Sequence, residues 1–358
     1  MVVWGGAEPI RGSLGARPSA ETRLAPREAS FRSEGAEERP WTADLEGESG
    51  AASLHVVDVD AELRTYLNTR HPFLRNDGPV WQGKGLTSAL DLGGALRWKA
   101  VSLSLRPTLI YTRNSAFDLA PVTIAGMPEY AYPWRRIDMP QRFGSDPFWR
   151  LDPGQSELRV SSHGTTAGIS TRNLWWGPGI ESSITMSNNA GGFPHVFLGT
   201  RGPRSIGIGT VEANWIMGRL AQSDYFDPAV ENPDRFLTGL VFAYSPSFLD
   251  GLSVGFARVF YGAVRDGGQP LSDFFLVFQG VRKRTLVTPA NPTGDDDTDQ
   301  MLSFFARWVL SGSGFEVYGE WARNDHSVDL TDFLQEPEHS QAYTLGLQKA
   351  VELEGRRM

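Results

Sequence analysis

The sequence predicts an all-β protein, a large antiparallel transmembrane β-barrel of the outer-membrane type. Three observations predict it. Segments of about ten residues recur in which every second side chain is apolar and the others are small, polar or charged. Trp and Tyr gather near the ends of these segments, as an aromatic girdle at a lipid–water boundary requires. Long loops, such as 120–150 and 265–300, separate shorter turns. A soluble β-sandwich shows the same alternation with its apolar face as core. The charged and small residues on the second face favour a wet lumen.

Composition narrows the function classes. The chain has 358 residues, with 39 Gly, 23 Pro and no Cys. A disulfide framework and a thiolate zinc site are therefore excluded. The net charge of −8 and the lack of a basic stripe argue against a nucleic-acid partner. No run approaches the length of a transmembrane helix. The longest apolar cluster is Phe274-Phe275-Leu276-Val277-Phe278.

Residues 1–50 are rich in Gly, Ala, Arg, Glu, Ser and Pro without a sustained period. They read as a disordered or mis-assigned N-terminal segment, and the start has neither the basic nor the apolar region of a signal peptide. The barrel is expected over 51–358. Residues 54–67 alternate, and Asn76-Asp77-Gly78-Pro79 is a turn before 86–98. From Val101 to Tyr111, Val101, Leu103, Leu105, Leu109 and Tyr111 share one face, and Pro107 predicts an edge, a bulge or a break. Val211, Ala213, Trp215 and Met217 oppose Glu212 and Asn214. Leu252, Val254 and Phe256 oppose Ser253, Gly255 and Ala257, but Arg258 then breaks the apolar face. Phe304, Ala306, Trp308 and Leu310 oppose Ser303 and Arg307. Phe315, Val317 and Trp321 oppose Glu316, Tyr318 and Glu320, and Tyr343, Leu345 and Leu347 close the series.

The stretch most unlike a strand is Leu174-Trp175-Trp176-Gly177-Pro178-Gly179, followed by a short alternating run, Ser187-Asn188-Asn189-Ala190 and Phe193-Pro194-His195. Aromatic faces and side-chain amides are what proteins use to hold sugars. Trp175 and Trp176 form a stacking platform on that reading, or an interfacial anchor and a packing residue on another. Ser187, Asn188 and Asn189 bind hydroxyls or cap a tight turn. His195 touches ligand or makes a structural hydrogen bond. Arg135, Arg136, Arg142, Arg201 and Arg204 surround the stretch in sequence. They bind an acidic polymer or pair with Glu181, Glu212, Glu316 and Glu320 across the interior. Asp295, Asp296, Asp297 and Asp299 form a solvated acidic loop, with a weak calcium site as the other reading. Asp138, Asp152, Glu157 and Glu181 are the carboxylates available for a glycan-cleaving pair. No catalytic pair, metal spacing or phosphate loop stands out, so neither catalysis nor a cofactor is expected.

Several phrases together resemble the Wzi-type capsule assembly proteins. They are Trp175-Trp176-Gly177-Pro178-Gly179, Ser187-Asn188-Asn189-Ala190, Ile137-Asp138-Met139-Pro140-Gln141-Arg142-Phe143-Gly144 and Asp152-Pro153-Gly154-Gln155-Ser156. Gly218 to Phe226, and Gly319-Glu320-Trp321-Ala322 with Asp325-His326, also fit. The resemblance implies an outer-membrane barrel of roughly eighteen strands. It implies a non-enzymatic, lectin-like attachment of capsular or other surface polysaccharide. Polysaccharide and outer-membrane lipid are then the partners of a monomeric barrel. A porin or solute channel is the alternative, and a glycan-modifying barrel enzyme a third. About twelve or thirteen strands are readable, and residues 350–358 are too charged for a closing strand. The barrel is therefore expected to be incomplete at its C-terminus, with a gap between its edge strands.

Overall fold

The computed structural model describes residues 55–73, 76–134, 137–180, 182–226, 234–264, 268–278, 298–310, 313–324, 340–349, 352–353 and 356–357. The expectation for 1–50 lies outside them. In chain order the strands are β1 (His55–Asn68), β2 (Gly85–Trp98), β3 (Val101–Leu105), β4 (Thr108–Thr112), β5 (Phe148–Asp152), β6 (Glu157–Ser162), β7 (Thr165–Ser170) and β8 (His195–Thr200). There follow β9 (Arg204–Ser205), β10 (Gly209–Leu220), β11 (Arg235–Pro246), β12 (Leu252–Ala263), β13 (Thr298–Leu310), β14 (Phe315–Asn324) and β15 (Gln341–Lys349). All fifteen lie in one sheet, every pairing antiparallel, and each stave neighbours the next in the chain. A 3-10 helix, Leu271–Phe278, is the one helical segment among the described residues.

Alternation fixes which way each strand faces. On β13, Phe304 and Trp308 are exposed while Phe305, Arg307 and Val309 are buried. Register carries this parity across the sheet. Phe304 pairs with Phe256 and Trp321, and Phe256 pairs with Phe242. Leu198, Ile169, Leu158, Leu96 and Leu63 continue the exposed face toward β1. One face is thus an apolar band and the other carries Thr87, Arg159, His195, Glu212, Ser303, Glu316 and Glu320, all buried. That is the outside-in arrangement of a membrane barrel.

Pro107 acts as a break. β3 and β4 are one interrupted stave, facing β6 and β5. The Asp152-Pro153-Gly154-Gln155-Ser156 phrase builds the interruption. Asp152 Oδ1 accepts from the Gly154 amide (2.8 Å) and Ser156 Oγ from the Arg106 amide (2.9 Å). Gly154 has φ 58°, and a Cβ there would sit 2.2 Å from the Arg106 carbonyl, so only glycine fits. Taking β3–β4 and β5–β6 as single staves and setting β9 aside, the sheet has twelve staves.

The sheet curls. Ile184 N donates to Glu320 Oε2 on β14 (3.2 Å), and four residues later the Asn188 carbonyl accepts from Gly78 N (2.9 Å). Val80 packs with Ala89 of β2 and Ile110 of β4. Four residues span at most about 14 Å. On a flat sheet β2 and β14 would lie nine spacings of ~4.8 Å apart, roughly 43 Å. Only a sheet bent toward closure brings both within reach. Among the described residues β1 and β15 are not paired with each other, and Glu352–Leu353 pairs only with Arg356–Arg357. The gap between the edge strands is as expected.

Candidate functional site

The connections sort to two ends. Short turns follow β2, β6, β11 and β13, and long connections follow β1, β4, β7, β10, β12 and β14. The long connection after β7, residues 171–194, turns into the barrel rather than away from it.

It does so because it carries a buried aromatic anchor and breakers that let it bend. Trp176 is 1 % exposed and packs in a cluster with Phe197, Ile216, Leu237, Val241, Val259 and Phe305, which lie on the inner face of β8 and β10–β13. A Cβ at Gly239 would lie 2.8 Å from the Trp176 ring, so the missing side chain is the space the indole fills. The Trp176 amide donates to the Met186 carbonyl (3.2 Å), the one β-bridge of the alternating run after Gly179 among the described residues. Ser183 Oγ donates to the Trp176 carbonyl, and the Gly177 backbone lies against Glu320 and Ser183. The Trp175 indole donates to the Gly179 carbonyl (3.0 Å). Asn173 and Gln155 bond each other twice, at 2.8 and 3.1 Å, and Asn173 Nδ2 donates to the Ala190 carbonyl (2.7 Å). The segment is a plug tied to both edges of the curled sheet.

Around it the inner wall carries ion pairs, those of Arg307 and Arg159 buried and that of Arg64 partly exposed. Arg307 meets Glu316 at 2.9 Å, Arg159 meets Glu157 at 2.7 Å, and Arg64 meets Asp91 at 2.8 Å. Glu316, one of the carboxylates expected to pair with arginine across the interior, does so with Arg307 of the neighbouring strand.

The predicted site residues fall into four places. Trp175, Trp176, Ser187, Asn188 and Asn189 lie in the plug, with Trp176 and Asn188 buried and Asn189 exposed. His195, at the head of β8, is buried between Phe193 and Phe197, its Nδ1 2.8 Å from the Phe193 carbonyl. Arg142 is buried beneath the long connection after β4. It donates to the Asn114 (2.5 Å) and Ser145 (2.6 Å) carbonyls. Arg201 and Arg204 sit past the far end of β8, at the short-turn end, so they are separated by the length of a strand from Arg142 at the long-loop end. Arg135, Arg136, Glu181, Asp295, Asp296 and Asp297 lie outside the described residues. Asp299 accepts from the Tyr261 hydroxyl (2.9 Å). Asp138 accepts from the Ser223 amide (2.8 Å) and hydroxyl, and Asp152 and Glu157 make the bonds given above.

One aromatic group at the long-loop end has no counterpart among the residues expected from sequence. Tyr225 meets Tyr130 edge-on at 5.8 Å and Phe143 at 5.9 Å, Phe143 meets Trp81 at 5.1 Å, and Tyr132 meets Trp134 at 5.6 Å. Residues 113–134 and 137–147 are tied together by side-chain to backbone bonds. Asn114 Nδ2 reaches the carbonyls of Phe143, Gly144 and Asp146 (2.8–3.0 Å), and Gln141 bonds Ala120 N and O and the Ala131 carbonyl (2.9–3.1 Å). Trp134 stays 61 % exposed, and Ile137 and Met139 are exposed as well. The available signal was Tyr130-Ala131-Tyr132-Pro133-Trp134, aromatics with proline inside a long loop.

The family model described as "Capsule assembly protein Wzi" matches residues 67–350. Among solved structures, OccK8 (OprE) of Pseudomonas aeruginosa is similar at 12% identity and a TM-score of 0.31, covering 74% of this chain and 73% of that one. A loop L8 deletion mutant of OmpT, an outer membrane protein of Vibrio cholerae, is similar at 11% identity and a TM-score of 0.27, covering 81% and 97%. At these TM-scores neither likeness bears on the fold, which rests on register and exposure. None of the curated proteins matches.

Proposed function

Since the chain belongs to the Wzi capsule assembly family, we propose that it is a lectin-like protein of the outer membrane that holds capsular or other surface polysaccharide on the cell. The observation that carries this reading is the long-loop end, a braced aromatic surface standing over a plugged interior. A bound polymer chain has a surface to lie on there and no open passage to enter. Exposed Trp134 offers its ring to the C–H face of a pyranose. Buried Trp176 instead holds the plug. A polymer meets many copies of such a surface, so weak single contacts suffice.

The reading includes a monomeric barrel in outer-membrane lipid and no catalysis. The described carboxylates that suit glycan cleavage cap backbone amides or pair with arginine. A solute channel needs the space that residues 171–194 fill.

The test is binding of purified surface polysaccharide to the full chain in micelles. Trp134→Ala is expected to weaken each contact by about 1 kcal/mol, roughly five-fold in affinity. Trp176→Ala tests the division of labour, since it should loosen the plug before it changes sugar contact. Unaltered binding by Trp134→Ala would move the contact surface elsewhere.

A further inference from the structure

The outer wall has a flaw at one place. Arg258, Gln300 and Thr238 occupy outward positions on β12, β13 and β11. Arg258 lies two residues from outward Phe256, Gln300 pairs with Phe260, and Thr238 pairs with Phe260 from the other side. Polar groups there face lipid, where unpartnered donors are not tolerated.

The 3-10 helix Leu271–Phe278 covers the flaw. Arg258 Nη1 donates to the Val277 carbonyl (3.3 Å), while its Nε and Nη2 donate to Gln300 Oε1 (3.1 and 2.7 Å). Thr238 Oγ1 and the Trp215 indole both donate to the Phe274 carbonyl (2.8 and 3.2 Å). The arrangement is reciprocal. The wall's donors find acceptors, and the Val277 carbonyl, in the helix's last turn, finds a donor. Phe275 and Phe278 pack on Trp215, and Phe274 meets Phe236 edge-on at 6.5 Å.

The covering segment turns its own apolar side away from the barrel. Leu271, Phe275 and Phe278 are 76 %, 53 % and 58 % exposed. That surface adjoins the outward band at β10–β12, through Trp215, Phe236 and Arg258. We infer that the 3-10 helix Leu271–Phe278 is inserted among the acyl chains of the leaflet on the long-loop side, as an apolar shield over the Arg258–Gln300–Thr238 patch. The occupant of its exposed face is lipid, because the face adjoins a lipid-facing band and the Phe274 and Val277 carbonyls are bonded to the wall. The inference rests on the membrane-barrel reading.

The chain has no cysteine, so a single introduced one carries a unique spin label. Phe275→Cys and Leu271→Cys test the helix, Leu198→Cys marks the strand band, and Ala125→Cys marks a water-exposed loop. The full chain is folded into dilauroylphosphatidylcholine vesicles. Collision with oxygen, which enters lipid, is compared with collision with a nickel chelate, which stays in water. Oxygen dominating at 275 and 271 as at 198, with nickel dominating at 125, is expected. Nickel dominating at 275 and 271 while oxygen dominates at 198 overturns the inference and leaves the barrel intact. Shielding from both reagents at 275 and 271 also overturns it, since protein rather than lipid then covers the face. Nickel dominating at 198 defeats the barrel reading and the inference with it.

Discussion

Arg307 and Glu316 sit diagonally on adjacent strands of the inner wall, Arg307 facing Tyr318 and Glu316 facing Val309, with 2.9 Å between Nη2 and Oε2 and both buried. Removing one takes this partner from a buried ion, at a cost of up to about 3–5 kcal/mol, whereas replacing both with apolar groups of similar volume costs far less. Arg307→Met should therefore lower stability by that amount, and Arg307→Met with Glu316→Leu should restore most of it. Urea unfolding in micelles, followed by gel mobility, measures both. Equal loss in the single and double variants would mean that packing rather than charge holds this part of the wall. Arg307 was legible as a polar-face residue from its alternation with Phe304, Ala306 and Trp308. Its partner was not, because pairing needs the β13–β14 register. The arginines that looked clustered in sequence, Arg142 with Arg201 and Arg204, are parted because β8 carries the chain from one end of the barrel to the other.

At the scale of elements, the plug rests on Gly239 as much as on Trp176. Any larger residue at 239 meets the indole before it meets anything else. Gly239→Leu should displace residues 171–194 and raise ion conductance in planar bilayers above that of the unaltered chain. A steady large conductance of the unaltered chain would mean that the plug leaves a path. Alternation made most staves readable, and Pro107, by its lack of an amide hydrogen alone, marked the break between β3 and β4. Breakers around Trp175 and Trp176 marked a loop. That the loop turns inward depends on Gly239 and Glu320, which local pattern cannot connect with it. Likewise Arg258 was visible as an interruption and Phe274–Phe278 as an apolar cluster, but only the fold sets one on the other.

For the whole molecule, an apolar outer band, an ion-paired inner wall, a plug and a braced aromatic end fit a protein that holds something at a surface better than one that passes it through. Family membership, together with exposed Trp134 at the long-loop end, points to polysaccharide as what is held. The most direct measurement is made in the native cell. The gene is deleted and restored, and cell-attached polysaccharide is compared with released polysaccharide at equal total synthesis. The account predicts that deletion leaves synthesis intact and sheds the polymer, and that restoration returns it to the cell. Undiminished attachment in the deletion strain would contradict it.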